Sequence, residues 1–235
     1  MLTIAVPTMR RFQFLKESLP IYLKHPGVGE VIVCDETGED IEAITKAPFT
    51  QNKKLRLIRN EKRLGIYQNK RKAMSLATCP YVAVLDSDNH FSDEWLDTIT
   101  DLLKDSDGKT IYASADFKNT NLNTGELTFP CKQFSGLRLD SASWNLMFQK
   151  PRWNFLLNDG NWVVPTAAKT TLPDIPSNTL EAADAIFMLK CFVKGGYSVY
   201  YVPELSYIHT VHDDSSWLKS ERDSTKIFNT MDWRI

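Results

Sequence analysis

Tyr81-Val82-Ala83-Val84-Leu85-Asp86-Ser87-Asp88-Asn89 decides how this chain is read: an unbroken apolar run stops abruptly at two carboxylates one residue apart. A run of that kind suits a strand buried on both faces, whose C-terminal end emerges into a cleft. On a strand-end turn Asp86 and Asp88 can converge and hold a hard divalent cation through oxygen, and such an ion would bridge phosphates. Taken alone, an Asp-x-Asp triplet is more often a solvated turn, so its meaning depends on its surroundings.

Upstream, Leu2 to Val6 is a short apolar run stopped by Pro7-Thr8. Arg11 to Lys24 has helical spacing through Phe12, Leu15, Leu19, Tyr22 and Leu23, with Pro20 expected to kink or split that helix. Glu30 to Cys34 reads as a second buried strand, and it too ends in acid, at Asp35 and Glu36. Ile41 to Ala47 fits a short helix and Leu55 to Ile58 a third strand. Asn69 to Ala77 reads as a helix with the basic start Lys70-Arg71-Lys72. Strands alternating with helices imply βαβ units, hence an α/β fold whose mainly parallel central sheet is flanked by helices. Ligands of such sheets bind beyond the carboxyl ends of the strands, where Asp35 and Asp86 both stand.

Downstream, Ser92-Asp93-Glu94-Trp95 has the form of a capped helix start, with Leu96, Ile99, Leu102 and Leu103 as its apolar stripe. Ile111 to Phe117 and Glu126 to Phe129 flank Asn119 to Gly125, which predicts a smaller antiparallel part towards the C-terminal half. Phe134 to Leu157 has no regular period. Asn158-Asp159-Gly160-Asn161 reads as a turn open to an acceptor, Trp162 to Val164 as a strand, and Leu172 to Asn178 as a loop. Asn178 and Glu181 have capping-box spacing, predicting a helix from there to about Lys194, ended by Gly195-Gly196. Tyr197 to Val202 reads as the last strand, and Ile208 to Trp217 as a polar, irregular tail. With no repeat or low-complexity linker, residues 1–235 make a single domain.

Composition narrows the classes. In a chain of 235 residues, 43% hydrophobic content is ample for a large core. A formal net charge of −1 provides no general attraction to nucleic acid or anionic membrane. Cys34, Cys79, Cys131 and Cys191 form no C-x-x-C pair and read as buried thiols of a reducing compartment. The first residues lead straight into Thr3 to Val6, too short for a signal segment, and no apolar stretch is long enough to span a bilayer. The expectation is a soluble cytoplasmic protein.

In this order (the strand ending at Pro7, the acid-ended strand at Asp35, the basic helix, Asp86-Ser87-Asp88, and a late acid at a helix start) the residues resemble a family-2 glycosyltransferase of the GT-A fold. The resemblance is strongest from Leu2 to Asp97 and again from Glu181 to Pro203. It implies a nucleotide-sugar-binding half at residues 1–97 and an acceptor-binding, catalytic-base half at residues 98–235. It implies that Asp35 contacts the base and ribose of a nucleotide-sugar, a UDP-sugar being favoured, with Pro7 and Thr8 in the same pocket. It also implies that Asp86 and Asp88, around Ser87, bind Mn2+ or Mg2+ on the diphosphate. Lys70-Arg71 stands where relatives carry Arg-Asn, which suggests a phosphate or ribose contact. Asp184-Ala185-Ile186-Phe187-Met188-Leu189-Lys190 matches the catalytic-base helix, with Ala183 in place of a Glu. His209 or His212 would complete the metal shell.

Inverting transfer needs a base for the acceptor hydroxyl, and a cation to stabilise the departing diphosphate. Asp184 is the candidate base and Glu181 the alternative, although the capping spacing also accounts for Glu181. Arg63 belongs with Lys62, Lys70, Arg71 and Lys72 to a cluster that suits a diphosphate or, equally, the wet face of a helix. Trp153 and Trp162 suit either stacking on a sugar or core packing. Pro7-Thr8-Met9-Arg10-Arg11 lacks the glycine-rich phosphate loop of a sugar-phosphate nucleotidyltransferase. A retaining transferase and a non-catalytic nucleotide-sugar-binding module of the same fold stay open as alternatives.

Overall fold

The first ninety residues alternate as the pattern predicts. Strands β1 (Leu2–Thr8), β2 (Val28–Asp35), β3 (Leu55–Arg59) and β4 (Tyr81–Val84) are joined by helices α1 (Phe12–Lys24), α2 (Glu39–Ile44) and α3 (Ile66–Ser75). The computed structural model describes residues 1–122, 124–125, 127–128, 131–214 and 226–235, apart from the side chains of Asn119, Leu127, Thr128 and Glu181. Glu126 and Phe129 of the expected hairpin, and Ser215 to Trp217 of the tail, lie outside these residues. So does the side chain of Glu181, the alternative base.

Leu2, Ile4, Ala5 and Val6 of β1, Val31 to Cys34 of β2 and Val82 to Val84 of β4 are completely buried. Burial on both faces explains why these strands are continuous apolar runs without alternation. α1 presents Leu15, Ser18, Leu19, Tyr22 and Leu23 to the core, the i, i+3, i+4, i+7 spacing of a single helix face. It runs unbroken from Phe12 to Lys24 with Pro20 inside it, so the expected split does not occur.

After β4 come α4 (Asp93–Leu102), β5 (Thr110–Asn121), β6 (Leu127–Thr128), β7 (Arg138–Leu139), α5 (Trp153–Leu157), β8 (Trp162–Pro165), α6 (Asp184–Lys194) and β9 (Ser198–Val211). Ser92 Oγ caps α4 by accepting the backbone N–H of Trp95 at 3.2 Å, a contact worth about 1 kcal/mol. The strand order is β3-β2-β1-β4-β8-β5-β9-β7, with β6 beside β5. β3, β2, β1 and β4 are mutually parallel, β8 runs antiparallel between β4 and β5, and β9 is parallel to β5. β2 and β4 lie on opposite sides of β1, so the chain reverses its direction of winding there and leaves a crevice at the strands' carboxyl ends.

Two boundaries differ from the sequence pattern. β9 continues past Val202 to Val211, because residues 206–211 pair with Asp116 to Asn121 of β5 after a register shift between Ser114 and Asp116. The segment read as an irregular tail is therefore partly sheet. The Asn178 box is not formed: 3₁₀ turns occupy Ser177–Thr179 and Glu181–Ala183, and α6 begins at Asp184. In the aperiodic stretch, Trp144 Nε1 donates to the carbonyl of Trp233 at 2.8 Å and Asn145 exchanges bonds with Ile235, so the far end of the chain organises it. No helix among the described residues is long and apolar enough to cross a membrane.

Candidate active site

The crevice opens into a cavity of about 700 Å3 lined by Pro7, Thr8 and Arg11 after β1, Asp86 to Asn89 after β4, Asp159 to Asn161 before β8, and Asp184 at the start of α6. Because β8 is antiparallel to β4, its first residues meet β4's last ones. Asn161 Oδ1 accepts the backbone N–H of Asp86 at 3.1 Å and thereby fixes the start of the triplet.

Asn89 fixes its other end. Its Oδ1 accepts the N–H of Thr210 at 3.1 Å, while His90 and Ile208 exchange backbone bonds of 3.0 Å. Clamped in this way, the end of β9 places His212 Nε2 2.9 Å from Asp88 Oδ2. Arg11 Nε stands 3.7 Å from the same oxygen. Burial by itself would raise the Asp88 pKa, but the contacts with His212 and Arg11 outweigh it and hold the group ionised below its ordinary range. A carboxylate and an imidazole side by side are ligand types that a divalent cation accepts. No group of three or more His, Cys, Asp and Glu side chains stands together as a ready ligand set among the described residues. His209, three residues earlier, lines the cavity without a hydrogen bond to Asp88 or His212. Its ring lies against Phe117 and Tyr207, at 5.2 and 6.3 Å between centroids.

The two remaining acids of the motif reading meet at a lysine. Lys70, buried on α3, places Nζ 2.9 Å from Asp86 Oδ1 and 3.0 Å from Asp184 Oδ2. Burial would lower the pKa of the ammonium, but Asp184 and Asp86 together raise it, so Lys70 stays charged. Burial raises the pKa of Asp184 against the opposing pull of Lys70. The 3.0 Å contact with Nζ holds the buried Asp184 carboxylate beside Asp86. Gly160 closes over this group: a Cβ there would stand 2.8 Å from Lys70 Nζ. Lys70 is thus tied to two carboxylates. Of the basic cluster, Arg63 also lines the cavity, whereas Arg71 faces Asp174 and Lys72 donates to Asn60 Oδ1 at 2.7 Å.

At the end of β2, Glu36 and not Asp35 reaches the cavity wall. Asp35 is completely buried and does not line the cavity; its oxygens accept the N–H groups of Thr37 and Ile41, both at 3.0 Å, which shapes the loop into α2. Glu36 takes the cavity position instead. Its Oε2 accepts the N–H of Leu64 at 2.6 Å, while Oε1 is buried without a partner. Burial raises its pKa against the hydrogen bonds from Leu64 and Gly65. Thr8 lines the cavity with its hydroxyl committed to Asp40 Oδ2 at 2.6 Å. Trp162 is core, and Trp153 packs on Phe148 at 4.8 Å between centroids. Neither tryptophan lines the cavity. Sequence reasoning gave no site role to Arg11 and read Gly160 and Asn161 only as part of a turn open to an acceptor. Their signals were weak: an arginine soon after Pro7-Thr8, and a turn immediately before a strand.

A family model described as glycosyl transferase family 2 matches residues 3–161. Among solved structures, that of residues 1–349 of S. aureus TarS in complex with UDP-GlcNAc is similar at a TM-score of 0.71 and 13% identity, over 96% of this chain and 64% of that one. The same TarS segment in complex with UDP gives a TM-score of 0.66 and 16% identity, over 98% of this chain and 66% of that one. The chain therefore spans slightly less than two thirds of these TarS chains. At such identities the likeness shows the fold, and the fold is the expected GT-A arrangement. No curated protein matches the chain.

Proposed function

The chain belongs to glycosyl transferase family 2, and on that premise we propose that it moves a sugar from a nucleotide-diphosphate sugar to an acceptor hydroxyl with inversion at the anomeric carbon. A UDP-sugar is the favoured donor, in keeping with the UDP-GlcNAc and UDP held by the TarS structures. One observation carries the reading. A single cavity is lined by Lys70, Asp86, Asp88 and Asp184, with Lys70 paired to Asp86 and Asp184 and with His212 bonded to Asp88.

In this proposal residues 1–97 bind the donor and residues 98–235 supply the acceptor side and the base. Asp88 and His212 would hold Mn2+ or Mg2+, and Asp86 would add Oδ2, since Lys70 holds its Oδ1. When bound, such an ion neutralises the diphosphate as it leaves. Arg11 and Arg63 add positive charge at the same end. Pro7, Thr8 and Ser87 shape the donor pocket, and Glu36, not Asp35, presents the carboxylate to the nucleoside. Asp184 takes the proton of the acceptor hydroxyl as its oxygen attacks the anomeric carbon and the sugar–phosphate bond breaks. A base with a pKa lifted by burial is better matched to neutral pH than an exposed aspartate. Lys70 orients it.

The test is to incubate the protein with UDP- and GDP-sugars and Mn2+ or Mg2+, following release of nucleoside diphosphate and the product's anomeric configuration. Metal-dependent release, lost in Asp88→Ala and Asp184→Asn, is expected. Donor binding without turnover, unchanged by Asp184→Asn, would identify a binding module instead. Absence of metal-dependent donor binding, with Asp88→Ala indistinguishable from wild type, refutes the proposal.

A further inference from the structure

Part of the cavity wall has no role in holding the donor. Asp159, Tyr207, His209 and Phe117 line it from the β8 turn, β9 and β5. Asp159 Oδ1 accepts three hydrogen bonds: Tyr207 Oη at 2.8 Å, Asn161 Nδ2 at 2.8 Å and the Asn161 backbone N–H at 3.1 Å. Asp159 Oδ2 receives none among the described residues. The carboxylate is therefore fixed in orientation by one oxygen, and the other is left to a ligand. His209 adds a second open valence, because its Nδ1 is buried without a partner. A buried polar atom left unpaired is costly, and here it belongs to a residue of the cavity wall that also holds an unpaired carboxylate oxygen.

The chemistry of the pair restricts what can fill it. An ionised carboxylate only accepts, whereas a neutral imidazole nitrogen donates or accepts according to tautomer. A hydroxyl does both, so a polyhydroxyl ligand offers a partner to each of Oδ2 and Nδ1. Phe117, its ring against that of His209, offers an apolar surface for the C–H face of a sugar. An anionic group in the same place would be repelled by Asp159.

We propose that Asp159 and His209 form the acceptor subsite, recognising neighbouring hydroxyls of an uncharged carbohydrate or polyol over Phe117. The assignment rests on the transferase reading and names the acceptor class for it. Asn161 joins the two parts of the cavity, since it bonds both Asp159 and the backbone of Asp86. An acceptor held on Asp159 is thus registered against the donor triplet.

The experiment saturates the protein with UDP and Mn2+ and titrates methyl α-glucoside and glucitol, with binding read by saturation-transfer NMR. Calorimetry gives UDP affinity, and thermal midpoints report folding of every variant. The expected result is binding of at least one probe to wild type. Asp159→Asn and His209→Phe, and His209→Asn if the former fails to fold, should each weaken it roughly tenfold or more, with UDP affinity unchanged. Two results overturn the assignment: no probe binding to UDP-loaded wild type, or probe binding unaffected in folded variants of both positions. Failure of wild type to bind UDP or any nucleotide-sugar overturns the transferase reading itself, a result distinct from either.

Discussion

Replacing Lys70 by methionine removes the cation shared by two carboxylates while keeping most of the side chain's volume. Lys70 Nζ lies 2.9 Å from Asp86 and 3.0 Å from Asp184, with side-chain exposures of 4%, 33% and 6% for Lys70, Asp86 and Asp184. Breaking a buried ion pair by removing one partner costs about 3–5 kcal/mol, chiefly because the other charge is left in the protein interior. Asp86 is a third exposed and relieves itself through water, whereas Asp184 cannot, so the lower end, about 3 kcal/mol, is expected. For a domain of this size that lowers Tm by roughly 6–12 °C. The deficit should depend on pH with a definite sign. Without Lys70 the folded-state pKa of Asp184 rises further above its unfolded value, so the penalty is full at neutral pH. It shrinks as pH falls through the folded value towards about 4, where the unfolded carboxylate also begins to protonate. Thermal melts of wild type and Lys70→Met across that range measure it. Loss of less than about 1 kcal/mol at neutral pH, or a deficit that does not change with pH, would refute the account of Lys70 as the cation of a buried triad.

Three further outcomes follow from the same geometry. Lys70→Arg should not rescue the variant, because Gly160 leaves no space at Nζ for a guanidinium; its Tm and donor affinity are the readouts. Gly160→Ala pushes a methyl to 2.8 Å from Lys70 Nζ, and the loop shift should cost about 1–3 kcal/mol in denaturant unfolding. Asp184→Asn should lower kcat by roughly 10²–10⁴. Because burial raises the Asp184 pKa, the wild-type rate should fall on acidification already above the usual aspartate range, in a pH–rate profile whose acid limb the variant lacks.

Much of the molecule is legible in one dimension because it depends on local pattern. A strand buried on both faces is apolar at nearly every position, Thr3 with its hydroxyl bonded to Glu30 being the exception, which is why Leu2 to Val6 and Tyr81 to Leu85 are readable. Ser92 reads as a cap because the bond it makes spans three residues. Failures occur where a local signal competes with a distant partner. Asn178 and Glu181 have the spacing of a cap, yet the chain turns twice before α6 begins at Asp184. Pro203 and Glu204 look like a strand's end, but pairing with β5 carries β9 through them to Val211. Asp35 and Glu36 are neighbours of like chemistry, and nothing in their order says which would be buried in the loop into α2 and which would face the cavity.

By itself the sequence determined the α/β class, the strands whose carboxyl ends form the crevice, and the triplet Asp86-Ser87-Asp88 as its centre. Tertiary structure alone decided the partners. Asp88 meets His212 across 124 residues of chain, and Lys70 joins Asp86 to Asp184. That His212 and not His209 meets Asp88 follows from the Asn89 clamp on Thr210, which carries the chain past the end of β9 to the triplet. Hydrophobic periodicity is imposed on each segment by its own burial and so is written along it. Charge pairing in a cavity is imposed by the packing of several segments at once, and no single stretch carries its signature.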